Sequence, residues 1–270
     1  MHAELTQTAP MIRFDAVSKH YAARPVLRDL SFSIKKGELV ALVGGSGSGK
    51  TTTLKCINRL VEPDAGAIQI EGRPVNAEPG FMLRRRIGYV FQGIGLFPHL
   101  SVGENIAVTP QLLGWERERI ARRVDELLDL VELPRAFGAR APAALSGGQR
   151  QRVGVARALA AEPQIVLMDE PFGALDPVTR DSLGRAYRAL HERLQLTTVL
   201  VTHDMLEALL LADRVLVMQG GELLADDTPQ RLLHEHTEPV VRELLDMPRK
   251  QAARLHELTH PTQRTAQHDG

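Results

Sequence analysis

The hydrophobic pattern changes period several times along the chain. From Met11 to Tyr21, "MIRFDAVSKHY" alternates loosely between apolar and polar positions and predicts a strand. The stretch Leu27–Gly44, "LRDLSFSIKKGELVALVG", divides into two more strands at a turn over Lys35–Gly37. Its second half, Glu38–Val43, is short and apolar, as for a strand covered on both faces. After Gly49 the period becomes helical through "KTTTLKCINRL", Pro63–Gly66 interrupts it, and "AIQIEGRPV" reads as an edge strand with a turn. Between Trp115 and Leu133, Ile120, Val124, Leu127, Leu128 and Val131 recur at helical spacing with Arg and Glu between them. Short apolar strands are predicted at Ile165–Met168 and Thr198–Thr202, and a strand pair around Arg214–Ala225 turning at "QGGE". Helices over Val178–Leu194 and Met205–Leu211 separate them.

Strands alternating with helices argue an α/β architecture with a largely parallel sheet, interrupted by a mostly helical insert over roughly residues 94–160. No internal repeat is visible. From Pro248 the polar tail "PRKQAARLHELTHPTQRTAQHDG" carries little pattern; it is expected to be mobile, with at most one short helix, and is too short for another domain.

Composition narrows the function classes. The 270 residues are 43% hydrophobic and 24% charged, enough for a substantial core. Lys plus Arg and Asp plus Glu are 33 each, so no net charge draws the chain to nucleic acid. A single cysteine, Cys56, rules out an intrachain disulfide and reads as a small apolar helix residue. No apolar run approaches the ~18–20 residues that span a bilayer, and "MHAELTQTAP" lacks the apolar segment of a signal peptide. Work at a membrane would therefore need another chain as anchor.

The first chemical motif is "GGSGSGKT". Gly44, Gly45, Ser46, Gly47, Ser48, Gly49, Lys50 and Thr51 fit G-x-x-x-x-G-K-[ST] between an apolar strand and a helix. Glycines let backbone N–H groups curl around phosphate oxygens, and the helix start adds partial positive charge. Lys50 is placed for the β- and γ-phosphates and Thr51 for Mg²⁺, with Thr52 next on the helix. "IVLMDE" is an apolar strand ending in two carboxylates: Asp169 to hold Mg²⁺ and Glu170 to polarise the attacking water. Taken alone, an acidic strand end is usually a solvated loop start; the phosphate loop earlier in the same sheet reverses that reading. "VLVTHD" ends a further buried strand at His203, and "IGYVFQ" brings Gln92 to a similar place; open α/β sheets bind ligands outside the carboxyl ends of their strands. The run Arg84–Arg86 reads as a solvated face and Trp115 as a packing residue at a helix start, while His20, His99 and the tail histidines show no metal-ligand spacing.

A second anion-binding helix start follows at "ALSGGQRQRVGVARAL", twenty residues before the acidic strand. Phosphate loop, "LSGGQ" and "IVLMDE" in this order resemble the ATPase subunit of ABC transporters over roughly Ile12–Asp246, and "LSGGQ" at Leu145–Gln149 is the more specific signal. The resemblance implies a P-loop NTPase of the ABC ATPase type: a mixed, mostly parallel sheet with an antiparallel β subdomain and a helical subdomain, together residues 11–247, then the tail 248–270. It also implies roles. Tyr21 would stack on adenine, Gln92 would be the Q-loop glutamine and a Mg²⁺ ligand beside Thr51 and Asp169, and Ala174–Asp176 the D-loop, with Asp176 at the nucleotide. Glu170 would be the general base and His203 the switch histidine at the γ-phosphate. ABC subunits pair head to tail, so Ser146, Gly147, Gly148 and Gln149 would serve the ATP held by a partner's phosphate loop. Two anion sites in one chain are then halves of two shared ones.

The stretch after Gln92, "GIGLFPHLSVGENIAVTPQLLGW", most resembles ATPases of importers for osmoprotectants such as glycine betaine, choline or carnitine. Implied partners are an integral membrane permease, a periplasmic or extracellular substrate-binding protein reached through it, and a second ATPase chain as homodimer, at the cytoplasmic face of the membrane and without nucleic acid. Another ABC importer, an exporter subunit or a soluble ABC protein are the alternatives. Many members of that class carry paired C-terminal regulatory domains, and the short tail after Pro248 puts such regulation in doubt.

Overall fold

The computed structural model describes residues 9–93, 95–173, 175–235, 238–246 and 250. The expectations for the tail after Pro248 and for Ala174 therefore fall on residues outside those described, Lys250 apart.

In chain order the first elements are β1 (Ile12–Tyr21), β2 (Arg24–Ile34), β3 (Leu39–Val43), α1 (Lys50–Ile57), β4 (Ala65–Ile70) and β5 (Arg73–Pro74). Then come α2 (Gly80–Arg85), β6 (Ile87–Val90), α3 (Val102–Leu112), α4 (Arg117–Leu130) and α5 (Gly147–Leu159). The rest is β7 (Ile165–Asp169), α6 (Pro177–Leu194), β8 (Thr197–Val201), α7 (Met205–Leu211), β9 (Arg214–Gln219), β10 (Glu222–Asp227) and α8 (Pro229–Glu235).

The strands form two sheets, an antiparallel one in the order β2-β1-β4-β5 and a six-stranded one in the order β10-β9-β3-β8-β7-β6. All pairs in the second are parallel except β10 with β9. Strands β3, β7 and β8 are buried at every position, as their mostly apolar runs favour. Side chains alternate across the sheet. Leu39, Ala41 and Val43 therefore join Val166, Met168 and Leu200 in a core with the helices α3–α7, while Val40 and Leu42 face the antiparallel sheet and α1. There Phe14 and Phe32 stack at 4.4 Å. Parallel pairing also brings the ends of β6, β7, β8 and β3 to one edge, with Val90 opposite Met168 and Asp169 opposite Val201.

Two details differ from the sequence expectations, and a third adds partners to one of them. β4 lies inside its sheet, paired on both sides, and two-residue β5 is the edge. α3 forms within a stretch that periodicity did not mark: Ser101 and Glu104 close a reciprocal capping box that fixes its start, despite Pro110 near its end. The arginine run is exposed at Arg84 and Arg86, yet Arg84 donates to the carbonyl of Arg59 at 3.2 Å and Arg86 pairs with Glu78. Trp115 precedes α4 as expected, its ring 3.4 Å from the Arg119 guanidinium carbon.

Candidate functional site

The loop between β3 and α1 is held open for a ligand by its own backbone. Gly44 has φ 150°, and a Cβ there would stand 2.1 Å from the carbonyl oxygen of Met218 on β9, so no side chain fits. Gly45, Ser46 and Gly47 are exposed, whereas Ser48, Gly49 and Lys50 are buried. Lys50 Nζ turns back into the loop and donates to the carbonyls of Gly44 at 2.8 Å and Gly45 at 2.9 Å. Burial holds its pKa below the ordinary lysine range, opposed by the carboxylates of Glu170 and Asp169. A phosphate dianion arriving here would meet a desolvated cation already aimed by the loop.

The end of β7 supplies the acids. Thr51 Oγ1 donates to Asp169 Oδ1 at 2.9 Å, tying the start of α1 to the sheet. Asp169 is 3% exposed, and burial raises its pKa against the stabilising hydrogen bond from Thr51. Glu170 sits at positive φ, 49°, with its N–H bonded to the Val201 carbonyl at 2.9 Å. Its carboxylate accepts from Gln92 Nε2 at 3.2 Å and lies 3.4 Å from His203 Nδ1. Four strand ends, β3, β6, β7 and β8, thus bring Lys50, Gln92, Glu170 and His203 into one cluster. The hydroxyl of Thr51, the carboxylate of Asp169 and the amide oxygen of Gln92 are hard oxygen donors, which suit Mg²⁺ completed by phosphate and water. Among the described residues no group of three His, Cys, Asp or Glu side chains could hold a metal without a ligand's help.

A cavity of about 540 Å³ is lined by Gly47, Ser48, Gly49, Lys50, Thr51 and Thr52 and, at its mouth, Tyr21 with its ring half exposed. A second opening beside it is lined by Gly45, Ser46, Gly47, Ser48 and His203. No residue of Ser146–Gln149, nor Asp176, lines either. Instead Ser146 caps α5: its hydroxyl accepts from Gln149 N at 3.2 Å, and Gln149 Oε1 accepts from Ser146 N at 3.0 Å. Asp176 caps α6 through Thr179 N at 3.0 Å. These two helix starts are neighbours, since a Cβ on Gly148 would meet Leu175 Cδ2 at 3.1 Å. The expected site residues therefore fall into two groups on one chain, a phosphate-loop group containing Tyr21 and a signature group containing Asp176.

A family model for "ABC transporter" matches residues 27–173. The chain belongs to the ABC transporter family. It is 49% identical over 236 residues to the "Carnitine transport ATP-binding protein OpuCA" of Listeria monocytogenes, covering 87% of this chain and 59% of that protein. It is 51% identical over 233 residues to the "Glycine betaine uptake system ATP-binding protein YehX" of Escherichia coli, covering 86% and 76%. This ABC protein thus spans about three fifths of the length of the carnitine-transport relative. Among solved structures, the dimeric ATP-binding cassette MJ0796 in a post-hydrolysis state bound to ADP and Pi superposes with TM-score 0.74 at 34% identity, covering 81% of this chain and 99% of that one. That likeness carries the cassette fold expected from the sequence.

Several residues of the ABC site escaped the sequence reading. Arg180 donates to Asp204 Oδ2 at 3.1 Å and to the Leu175 carbonyl at 3.3 Å, linking the two groups through the residue after His203. Gln151 Nε2 reaches the Glu170 carbonyl at 3.5 Å. Thr202 Oγ1 donates to Glu207 on α7 and accepts from Asp204 N. The only signal available was Arg180 standing one helical turn beyond Asp176; the rest depends on strand order.

Proposed function

We propose that this chain is the ATP-hydrolysing subunit of a bacterial ABC importer for osmoprotectants such as glycine betaine, choline or carnitine, working as a head-to-tail homodimer. The separation of the two groups carries the reading: the phosphate-loop cavity has every binding element except the signature, which waits on a different helix start. Two chains facing each other complete two sites, and the similar cassette MJ0796 is a dimer with ADP and Pi.

The chain's own residues then divide the work. The Gly44–Thr51 amides and Lys50 bind the phosphates, and Tyr21 covers the base. The partner's Ser146–Gln149 start contributes backbone N–H groups and helix dipole to the γ-phosphate. Thr51, Asp169 and Gln92 would hold Mg²⁺, which would neutralise phosphate charge. Glu170 takes the proton of the attacking water, and His203 contacts the γ-phosphate and orients the Glu170 carboxylate. Losing the bridging charge on hydrolysis loosens the dimer.

The surface beside Gln92 supports a permease as partner. A groove of about 620 Å³ runs between Leu60, Arg85, Phe91, Phe97 and Arg157, with the exposed ring of Phe81 against Arg85. Asn105 keeps its wall rigid: its amide donates to the carbonyls of Phe97, Leu100 and Ser101 and accepts from Phe97 N. Such an apolar, preformed groove suits a short helix. No described helix is long and apolar enough to cross a membrane; in this reading the chain docks on the permease, at the cytoplasmic face. The substrate-binding protein acts only through it.

Copurification tests this reading. The tagged protein, solubilised gently from membranes of its native host, should bring down a multi-spanning permease and a quaternary-amine-binding protein. Recovery of ribosomes, DNA or soluble partners alone would overturn import, and a permease whose binding protein takes a different solute would overturn the osmoprotectant assignment.

A further inference from the structure

Tyr21 is the last residue of β1, and there its sheet supports β1 on the β2 side alone. The β1–β4 ladder ends at Ser18 opposite Ala65, three residues short of Tyr21. On the other side Tyr21 pairs with Arg24 of β2, but Pro25 stands opposite His20 and has no N–H to give. A strand end paired on one side only frays more readily than one paired on both.

Asp64, the residue before β4, fills the gap. Its N–H donates to the Ser18 carbonyl at 2.9 Å, which sets the residue beside the strand. One carboxylate oxygen accepts from His20 N at 2.6 Å, as the next residue of a longer β4 would have done. The other accepts from Lys19 Nζ at 2.7 Å, and that ammonium lies 5.8 Å from the centroid of the Tyr21 ring. His20 Nδ1 stands 3.5 Å from the same carboxylate. The position of Asp64 depends in turn on Gly66: at φ 80° it meets a bulge of β1, where a Cβ would be 2.3 Å from the Ala16 carbonyl oxygen.

We propose that Asp64 is a positioning residue for nucleotide binding, its carboxylate continuing the sheet past the end of β4 and holding the Tyr21 ring at the mouth of the phosphate-loop cavity. The inference rests on the reading of Tyr21 as the platform for the base. Base and phosphates are bound by different parts of the chain, so loosening Tyr21 weakens ATP and spares a ligand made of phosphates alone.

The test compares ATP with inorganic tripolyphosphate, both with magnesium, on the full-length chain by isothermal titration, alongside steady-state ATPase. Asp64→Ala should weaken ATP about fivefold, as expected for losing charge-assisted bonds one step removed from the ligand, with tripolyphosphate affinity unchanged within about twofold. KM should rise with kcat retained. Asp64→Asn should restore most of the affinity, because its amide oxygen still accepts from His20 N. Lys19→Met should weaken ATP without touching the backbone contact, which keeps the inference testable if Asp64→Ala folds poorly. Tyr21→Ala separates the two ideas. If it weakens ATP while the Asp64 and Lys19 variants do not, the role of Asp64 is wrong. If Tyr21→Ala leaves ATP affinity intact, the platform reading itself fails. Equal losses for ATP and tripolyphosphate in Asp64→Ala would make the residue a general structural support and overturn the proposal.

Discussion

Replacing Glu170 by Gln separates binding from chemistry in this site. The backbone of residue 170 is anchored by the Val201 carbonyl, and its side chain meets Gln92 Nε2 at 3.2 Å and His203 Nδ1 at 3.4 Å. Gln has the same shape and one oxygen to accept the Gln92 N–H, so packing is preserved and stability should change by no more than ~0.5 kcal/mol. The groups proposed to bind phosphate, Lys50 and the Gly44–Thr51 amides, are untouched. One property is lost, the ability to take a proton from water. General-base help is worth ~10²–10⁴-fold, about 3–5 kcal/mol of barrier, so turnover should fall by that factor. ATP affinity should hold or rise, because a negative charge beside the triphosphate is removed. Phosphate release measures the first and a fluorescent ATP analogue the second; light scattering with ATP should show the variant trapped as a dimer. Lys50→Ala is the contrasting control, since it removes the buried cation and should weaken nucleotide binding itself. Turnover of Glu170→Gln within about tenfold of wild type would refute the general-base assignment.

Two further perturbations probe the scaffold. Gly44→Ala would drive a methyl to 2.1 Å from the backbone oxygen of Met218, so unfolding should become easier by on the order of 3–5 kcal/mol; an unchanged urea midpoint would show that β9 can yield. Glu207 makes stability depend on pH in a direction opposite to most carboxylates. Burial raises its folded pKa from 4.5 to about 7, and one of its oxygens is buried without a partner. The folded state therefore holds this proton more tightly, and its contribution, complete below pH 4.5, is lost as pH rises to about 7. At ~1.4 kcal/mol per pKa unit the loss is on the order of 3 kcal/mol. Glu207→Gln should remove it, so wild type minus variant should change between pH 5 and pH 8. That difference cancels buried His191, whose lowered pKa acts the other way, stabilising above its ordinary value and less as pH falls below it. A flat difference would mean that water reaches the Glu207 carboxylate.

Elements whose pattern repeats locally were legible in the chain. The buried runs of β3, β7 and β8 announce themselves because a strand covered on both faces is mostly apolar, here broken only by Thr197, Thr198 and Asp169 at strand ends. The phosphate loop is legible because its glycines are demanded by backbone geometry within a few residues. The signature was legible as a helix start, Ser146 to Gln149, and the structure adds the cap whose two partners lie three residues apart. α3 carried the same kind of cap, Ser101 with Glu104, but without a clear apolar period the signal was easy to pass over.

What the tertiary structure alone decided is which distant residues meet. The carboxylate of Glu170 stands between Gln92 and His203 because β6, β7 and β8 are adjacent and parallel, and strand order is set by how the two sheet faces pack, not by any one segment. Arg180 reaches Asp204, and Asp64 grips the end of β1, for the same reason: 24 and 44 residues of chain fold back to close these contacts. The sequence by itself determined the local machinery, a glycine-rich loop, a helix start and a pair of carboxylates, because each is specified by neighbours along the backbone. The long-range contacts that aim that machinery depend on burial of both faces of one sheet, a condition satisfied only when the whole chain is assembled.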